Sequence, residues 1–326
     1  MPSVRRRELL GALAAGPLAA VSPSVRAQTW PTRPIRLIVP FATGGGSDFI
    51  GRFMAQRLGQ ALGQPMVVEN RPGAGSTLGI EMVVKSPADG YTFGLIASSY
   101  TVTPSLYKLK FDPVTDITPI IQFSQGPMLV LVPKSLPVSS LSELIAIARA
   151  RPGTLNYASA GQGSITHLAC AYFADMAGLQ MTHIPYKGTG PALTDTIAGQ
   201  TQIFFSSTAT ALPHVQSGAL KVLAVTTAQR LPALPSVPTI AESGLPAYDV
   251  PIWHGMIGPR GMAEAVIERL VAESQRTLTL RETAEQLAQD GVAPAPKGSP
   301  DQFRRRIDAE IRQWRAVIDK AGIRLE

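Results

Sequence analysis

Three observations predict an α/β fold in two lobes. Short apolar strands alternate with helical patterns from about residue 28 onward, the pattern restarts midway, and each half contains one strand–glycine loop–helix joint. The first joint reads Ile35-Arg-Leu-Ile-Val-Pro-Phe-Ala-Thr-Gly-Gly-Gly-Ser-Asp48, and the second Leu155-Asn-Tyr-Ala-Ser-Ala-Gly-Gln-Gly-Ser-Ile-Thr-His167. A joint of this kind leaves backbone N–H groups unpaired at the positive end of a helix, where an anion docks without Lys or Arg. Two such joints facing each other would clamp a carboxylate, which points to binding rather than catalysis.

Element by element, Ile35–Val39 reads as a buried strand. Phe49, Phe53, Met54 and Leu58 follow at helical spacing, and Gly63 ends that helix. Met66–Glu69 and Tyr91–Ala97 are the next strands. Ile117–Phe123 and Met128–Val132 are two more, broken at Gln125-Gly126-Pro127, where the chain is expected to cross between lobes. The second half runs helix after Ser139–Ser142, strand Leu155–Ala158, helix Ser164 to about Ala177 and strand His183–Tyr186. Helix Pro191–Ala198 and strands Gln202–Phe205 and Lys221–Val225 complete it. Leu231–Pro246 is a proline-punctuated loop, and Val250–Ile257 returns to the first lobe. Ser299-Pro-Asp-Gln302 is a capping box opening a last helix, whose stripe Phe303, Ile307, Ile311, Trp314 and Ile318 is a packing face. The expected plan is lobe 1 (28–124 plus 252–326), with lobe 2 (125–251) inserted between two crossovers and largely parallel sheets in both.

Residues 1–27 read as a cleaved export signal: Arg5-Arg6-Arg7, an apolar stretch from Leu9 to Val21, and Val25-Arg26-Ala27 as the cleavage site. Arg6-Arg7 also allows a twin-arginine route. Export to the periplasm as a soluble protein follows. The net charge of +7 falls to +4 once the segment's four arginines and one glutamate are gone, so the basic balance is modest. Nucleic-acid binding needs a clustered basic face; the dense run Arg304-Arg305-Arg306 reads as a solvated helix face, so no nucleic-acid partner is expected. Cys170, the single cysteine, reads as core. His167, His183, His214 and His254 lack ligand spacing, so no metal is expected. No cofactor is expected either. Gly73-Ala-Gly75-Ser-Thr-Leu-Gly79 resembles a dinucleotide loop, but Asn70-Arg71-Pro72 separates it from its strand and no acid lies about 20 residues on to hold a ribose, so it reads as a turn with close helix packing.

Ligands of such sheets bind beyond the carboxyl ends of strands. That rule selects Thr43, Gly44, Gly45, Ser47 and Asp48 from the first joint, and Ser159, Ala160, Gly161, Gly163 and Ser164 from the second. Ser98 and Ser99, with Ser206 and Ser207, follow two further strands and would contact the distal part of a ligand. Gly44–Gly46 is either a tight turn or an anion seat; Ser47 and Ser164 either donate to a carboxylate or cap their helices. Asp48 caps or orients the loop. Tyr186 and Lys187 either reach the cleft or brace it. A Ser164–His167 pair would suit an exported hydrolase, but no orienting acid or G-x-S-x-G elbow accompanies it.

These segments, taken in order, resemble the Bug-type, tripartite tricarboxylate transporter family of periplasmic substrate-binding receptors. The resemblance rests on Pro34–Phe41 with Gly44–Asp48, Val68-Glu-Asn-Arg-Pro-Gly-Ala-Gly75 and Pro87-Ala-Asp-Gly-Tyr-Thr92. It continues through Leu155–Gly161, Ser164–Leu168, Pro185–Gly188, Pro191–Asp195, Ala211–His214 and Leu223–Thr226. It implies a type II periplasmic-binding-protein fold, two Rossmann-like lobes that close over a small mono-, di- or tricarboxylate held by the two glycine loops, partly through ordered waters. It further implies delivery of the ligand to membrane permease subunits or to a sensor; a monomer that is not an enzyme is expected. The chain departs from the family pattern where Ala42-Thr43 replaces Pro-Pro and where Ser206 stands in place of Asp. The loss of that acid favours a carboxylate without an amine.

Overall fold

The structure, a computed structural model, describes residues 30–324. The export-signal reading of residues 1–27 lies outside the described residues. Strands β1 (Ile35–Val39), β2 (Met66–Asn70), β3 (Thr92–Ala97) and β4 (Ile117–Gly126) start the first sheet. The chain then crosses at Pro127 into a second sheet built of β5 (Met128–Pro133), β6 (Asn156–Ser159), β7 (Thr182–Pro185), β8 (Ile203–Ser207) and β9 (Leu220–Val225). It returns through β10 (Ile252–Pro259) and the short β11 (Ala293–Pro294). The sheet orders are β11-β4-β10-β3-β1-β2 and β7-β6-β8-β5-β9.

Both sheets are more mixed than the alternating pattern suggests. The pairs β1–β2, β1–β3, β6–β7 and β6–β8 are parallel, as crossover helices require. Every pair made by β10, β11 or β5 is antiparallel. Those strands adjoin the lobe crossovers or return to the first sheet late, so no βαβ unit dictates their direction.

The helices are α1 (Gly46–Leu62), α2 (Thr77–Val84), α3 (Thr103–Leu106), α4 (Leu141–Ala150), α5 (Ile165–Ala177), α6 (Thr189–Ile197), α7 (Thr208–Gln216), α8 (Glu264–Leu278), α9 (Arg281–Gln289) and α10 (Pro300–Ala321). Gly63 ends α1 in the left-handed conformation, and Ser299 with Gln302 forms the capping box of α10. The apolar stripe of α10 serves both lobes. Phe303, Ile307 and Ile311 pack with Tyr100 and Trp253 against the first sheet. Trp314, Val317 and Ile318 join Phe173 and Tyr248 in the core of the second. Cys170 is fully buried in that core.

The arginine run on α10 is only partly a solvated face: Arg305 is exposed, while its two neighbours bond to the first-sheet lobe. Arg304 donates to the carbonyls of Val114 and Ile117. Arg306 pairs with Glu310 and donates to Gln122 and Gln125 beside the first crossover. Burial holds the Glu310 carboxyl above its ordinary pKa, despite hydrogen bonds from Arg306, Trp253 and Thr101. No helix of the described residues is long and apolar enough to cross a membrane.

Candidate functional site

The carboxyl ends of β1, β2, β3 and β6 converge on one cavity of about 370 Å³, with walls from both sheets' loops. Pro40–Ala42 from the first glycine joint, Gly73, Gly75 and Ser76 after β2, and Ser99, Thr103 and Tyr107 after β3 form one side. Ala160–Ser164 from the second joint forms the other. No charged side chain lines it.

The two joints differ in their free donors. In the first, Gly44 N–H donates to Asp48 Oδ2 at 2.9 Å, and Phe49 N–H closes the first helical bond onto the Gly45 carbonyl. Gly45 caps α1 without a side-chain bond, and the amides of Gly45, Gly46, Ser47 and Asp48 have no hydrogen-bond partner among the described residues. Thr43, Gly44 and Gly45 are exposed. Asp48 is buried and faces inward: Arg52 and Asn70 Nδ2 donate to it, Asn70 also reaching the Phe41 carbonyl. Burial raises its pKa, and the hydrogen bonds from Arg52, Gly44 and Asn70 outweigh that and leave it lowered. Asp48 therefore braces the loop as an ion.

The second joint has spent most of its donors on itself. Ala160 N–H donates to Thr166 Oγ1, Gly161 N–H to Ser159 Oγ, Gly163 N–H to His167 Nδ1 and Ser164 N–H to the Gly161 carbonyl. Ser164 Oγ donates back to the Gly161 carbonyl and accepts from His167 N–H, so it caps α5. Beneath the loop, the His167 and His183 rings stack 3.7 Å apart, with Tyr157 against His183, and Ser159 Oγ meets His183 Nε2 at 2.6 Å. Burial lowers the pKa of both imidazoles, and for His167 the neighbouring His183 adds to it. Neutral rings hold the loop in shape. Ser164 and His167 share a capping bond through the backbone rather than a bond between hydroxyl and imidazole, so they form no nucleophile–base pair.

Ser47 Oγ lies 3.0 Å from His254 Nε2, whose Nδ1 is 3.1 Å from Ser124 Oγ. Burial pushes the His254 pKa down to about 4, which makes it a poor proton acceptor near neutrality. A depressed histidine stabilises the fold above its unfolded pKa of ~6.5, and the contribution is lost as pH falls from there toward the folded value. Between pH 7.5 and 5 the loss is about 2 kcal/mol for this residue. His254→Asn is expected to remove that much of the acid-limb slope in urea unfolding; an unchanged slope would refute a buried neutral imidazole.

The distal serines separate. Ser99 lines the cavity, while Ser98 is buried beside it. Ser207 occupies the N-cap position of α7 without a capping bond, and its hydroxyl meets Thr210 Oγ1 at 2.9 Å. Ser206 pairs with Leu129 and, by strand alternation, shares the face of Phe204; it is fully buried and its hydroxyl has no partner. It points into the layer under α6 and α7, so its lack of charge says nothing about a ligand amine. Tyr186 donates to Asp195 at 2.8 Å and braces its loop.

Two features were not anticipated from sequence. The Gly73–Ser76 turn forms part of the cavity wall. A turn at Asp290–Gly291 lies between the lobes: the Asp290 carboxylate sits against Gly46, where a side-chain Cβ would come within 2.6 Å of it, and Gly291 abuts Thr208 and Ala209 of α7. Burial pushes the Asp290 pKa up to about 6. Among the described residues no three His, Cys, Asp or Glu side chains are placed to hold a metal ion.

A family model described as "Tripartite tricarboxylate transporter family receptor" matches residues 50–323. The chain is 35% identical to the protein BugT of Bordetella pertussis over 311 residues, covering 94% of this chain and 95% of the relative. The R. palustris protein Rpa4515, solved with adipate, superposes with a TM-score of 0.77 at 38% identity, over 91% of this chain and 100% of that one. MatC from Rhodopseudomonas palustris, solved with bound malate, gives 0.72 at 31% identity, over 89% and 100%.

Proposed function

This chain belongs to the tripartite tricarboxylate transporter receptor family, and from that premise we propose that it captures a small carboxylate in the cavity between its lobes. The observation that carries the reading is that one uncharged cavity takes walls from both glycine joints. Its size falls within the ~300–1,000 Å³ of small-molecule sites. Just beyond the cavity-lining Ala42, and outside the lining itself, the α1 terminus offers four unpartnered amides with the positive end of a 17-residue helix behind them. A charge-assisted hydrogen bond contributes roughly 1.5–3 kcal/mol, so four give roughly 6–12 kcal/mol, a range that spans the ~8 kcal/mol of micromolar binding before ordering costs. Relatives solved with adipate and malate bind ligands of this chemistry. Delivery to membrane permease subunits in the periplasm completes the reading, supported by the family and by the export-type residues 1–27.

Native mass spectrometry of protein purified without unfolding, followed by calorimetry with the acid identified, tests this. Gly45→Val is the matching variant: the nearest atom to an added Cβ is 4.0 Å away, so the fold tolerates it, yet the side chain covers the open amides. A carboxylic acid bound with micromolar affinity and weakened at least tenfold by Gly45→Val is expected. Failure of a broad carboxylate panel to bind would sink the proposal.

A further inference from the structure

The turn after β2 has a feature that plain helix packing leaves unexplained. Gly73, Ala74, Gly75 and Ser76 all hold positive φ (132°, 44°, 63° and 81°), two of them without being glycine. Gly75 has to be glycine, because an added Cβ would lie 2.5 Å from the Tyr107 ring. The turn opens α2, yet Ser76, its N-cap residue, makes no capping bond. Ser76 is only 7% exposed, it lines the cavity, and its hydroxyl bonds to no described residue. Thr103 Oγ1 donates to the Ser99 carbonyl at 3.0 Å and reaches toward the Gly75 carbonyl, tying the turn to the loop after β3. An unbonded hydroxyl on a largely buried serine at a helix N-terminus, open to an uncharged cavity, is a place prepared for a ligand acceptor.

We propose that the Gly73–Ser76 turn is a second anion seat, so that the receptor takes a dicarboxylate. One carboxylate lies on the glycine-joint side and the other accepts a hydrogen bond from Ser76 at the start of α2. The inference rests on the carboxylate reading above and adds the number and placement of charged ends. Arg71 beside the turn is already paired with Glu69, so the seat works through the hydroxyl and the helix end, without a cation.

The probes are succinate and adipate, each against the monocarboxylate of equal chain length, butyrate and hexanoate, titrated by calorimetry into wild type and Ser76→Gly. Glycine suits φ 81°, so this variant removes the hydroxyl without straining the turn. The wild type is expected to bind the better dicarboxylate at least tenfold more tightly than its monocarboxylate. Ser76→Gly is expected to weaken that dicarboxylate about tenfold and the monocarboxylate less than twofold. Equal wild-type affinities, or a loss in Ser76→Gly that is absent or the same for both classes, would overturn the second seat while leaving a carboxylate receptor standing. Binding of none of the four would remove the carboxylate reading and this inference with it.

Discussion

Alanine at Gly291 is expected to weaken ligand binding about a hundredfold while both lobes stay folded. Gly291 belongs to the first-sheet lobe, and an added Cβ there would lie 2.5 Å from Thr208 Cβ and 2.7 Å from the Ala209 backbone nitrogen, both on α7 of the other lobe. Backbone cannot swing aside as a flexible side-chain tip would. Relief therefore comes by moving α7, and the second lobe with it, away from the glycine joint. A ligand that gains its contacts only when both walls meet then loses the state it stabilises. Gly291 also has φ +70°, where alanine costs roughly 1–2 kcal/mol of backbone strain. Gly322→Ala isolates that component, since Gly322 has φ +65° with nothing within 4 Å of its Cβ. Both variants should melt a few degrees early, but only Gly291→Ala should lose affinity and show a larger radius of gyration with ligand present. Equal affinities for the two would mean that the contact does not limit closure.

That turn shows where sequence reasoning stops. The joints at Phe41–Asp48 and Ser159–Ser164 were legible because a strand running into small residues and then a helical pattern is a local signal. The α10 stripe was legible for the same reason. The turn at Gly73–Ser76 carries the same signal after β2, but Asn70-Arg71-Pro72 lengthens the joint and obscures it. The phase of Ser206 could have been read by counting from Phe204, since alternate residues share a face. Nothing local marks Asp290-Gly291: it follows a helix, lies more than 240 residues from Gly46, and becomes part of the site only because α9 and β11 pack beside α1 and α7. Internal use of the second joint's amides was equally hidden: His167 takes the Gly163 amide once α5 forms, and His183 meets the Ser159 hydroxyl that takes the Gly161 amide only once β7 pairs with β6.

The Asp290 carboxylate sets the second large expectation: wild-type carboxylate affinity should rise relative to that of Asp290→Asn as pH falls through 6. Its pKa is raised to about 6 by burial. Above that value it is an anion beside the α1 terminus, the same terminus offered to the ligand. Two unit charges about 6 Å apart repel by about 3 kcal/mol at an effective dielectric of ~20. Asp290 is only half-buried, and solvent screening reduces this to about tenfold in affinity. The neighbouring charges do not reproduce the effect. Asp48 is paired with Arg52 and has a lowered pKa, Arg57 is paired with Glu282, and His254 stays neutral until about pH 4. Ligand carboxylates take up protons as pH nears 5, equally for both proteins, so the ratio of wild-type to Asp290→Asn affinity between pH 7.5 and 5 reports the protein side. Calorimetry should find Asp290→Asn binding about tenfold tighter than wild type at pH 7.5, with the two converging at pH 5. If Asp290→Asn instead weakened binding at every pH, the carboxylate would be holding a donor on the ligand, and the ligand would carry a hydroxyl or an amine at that end.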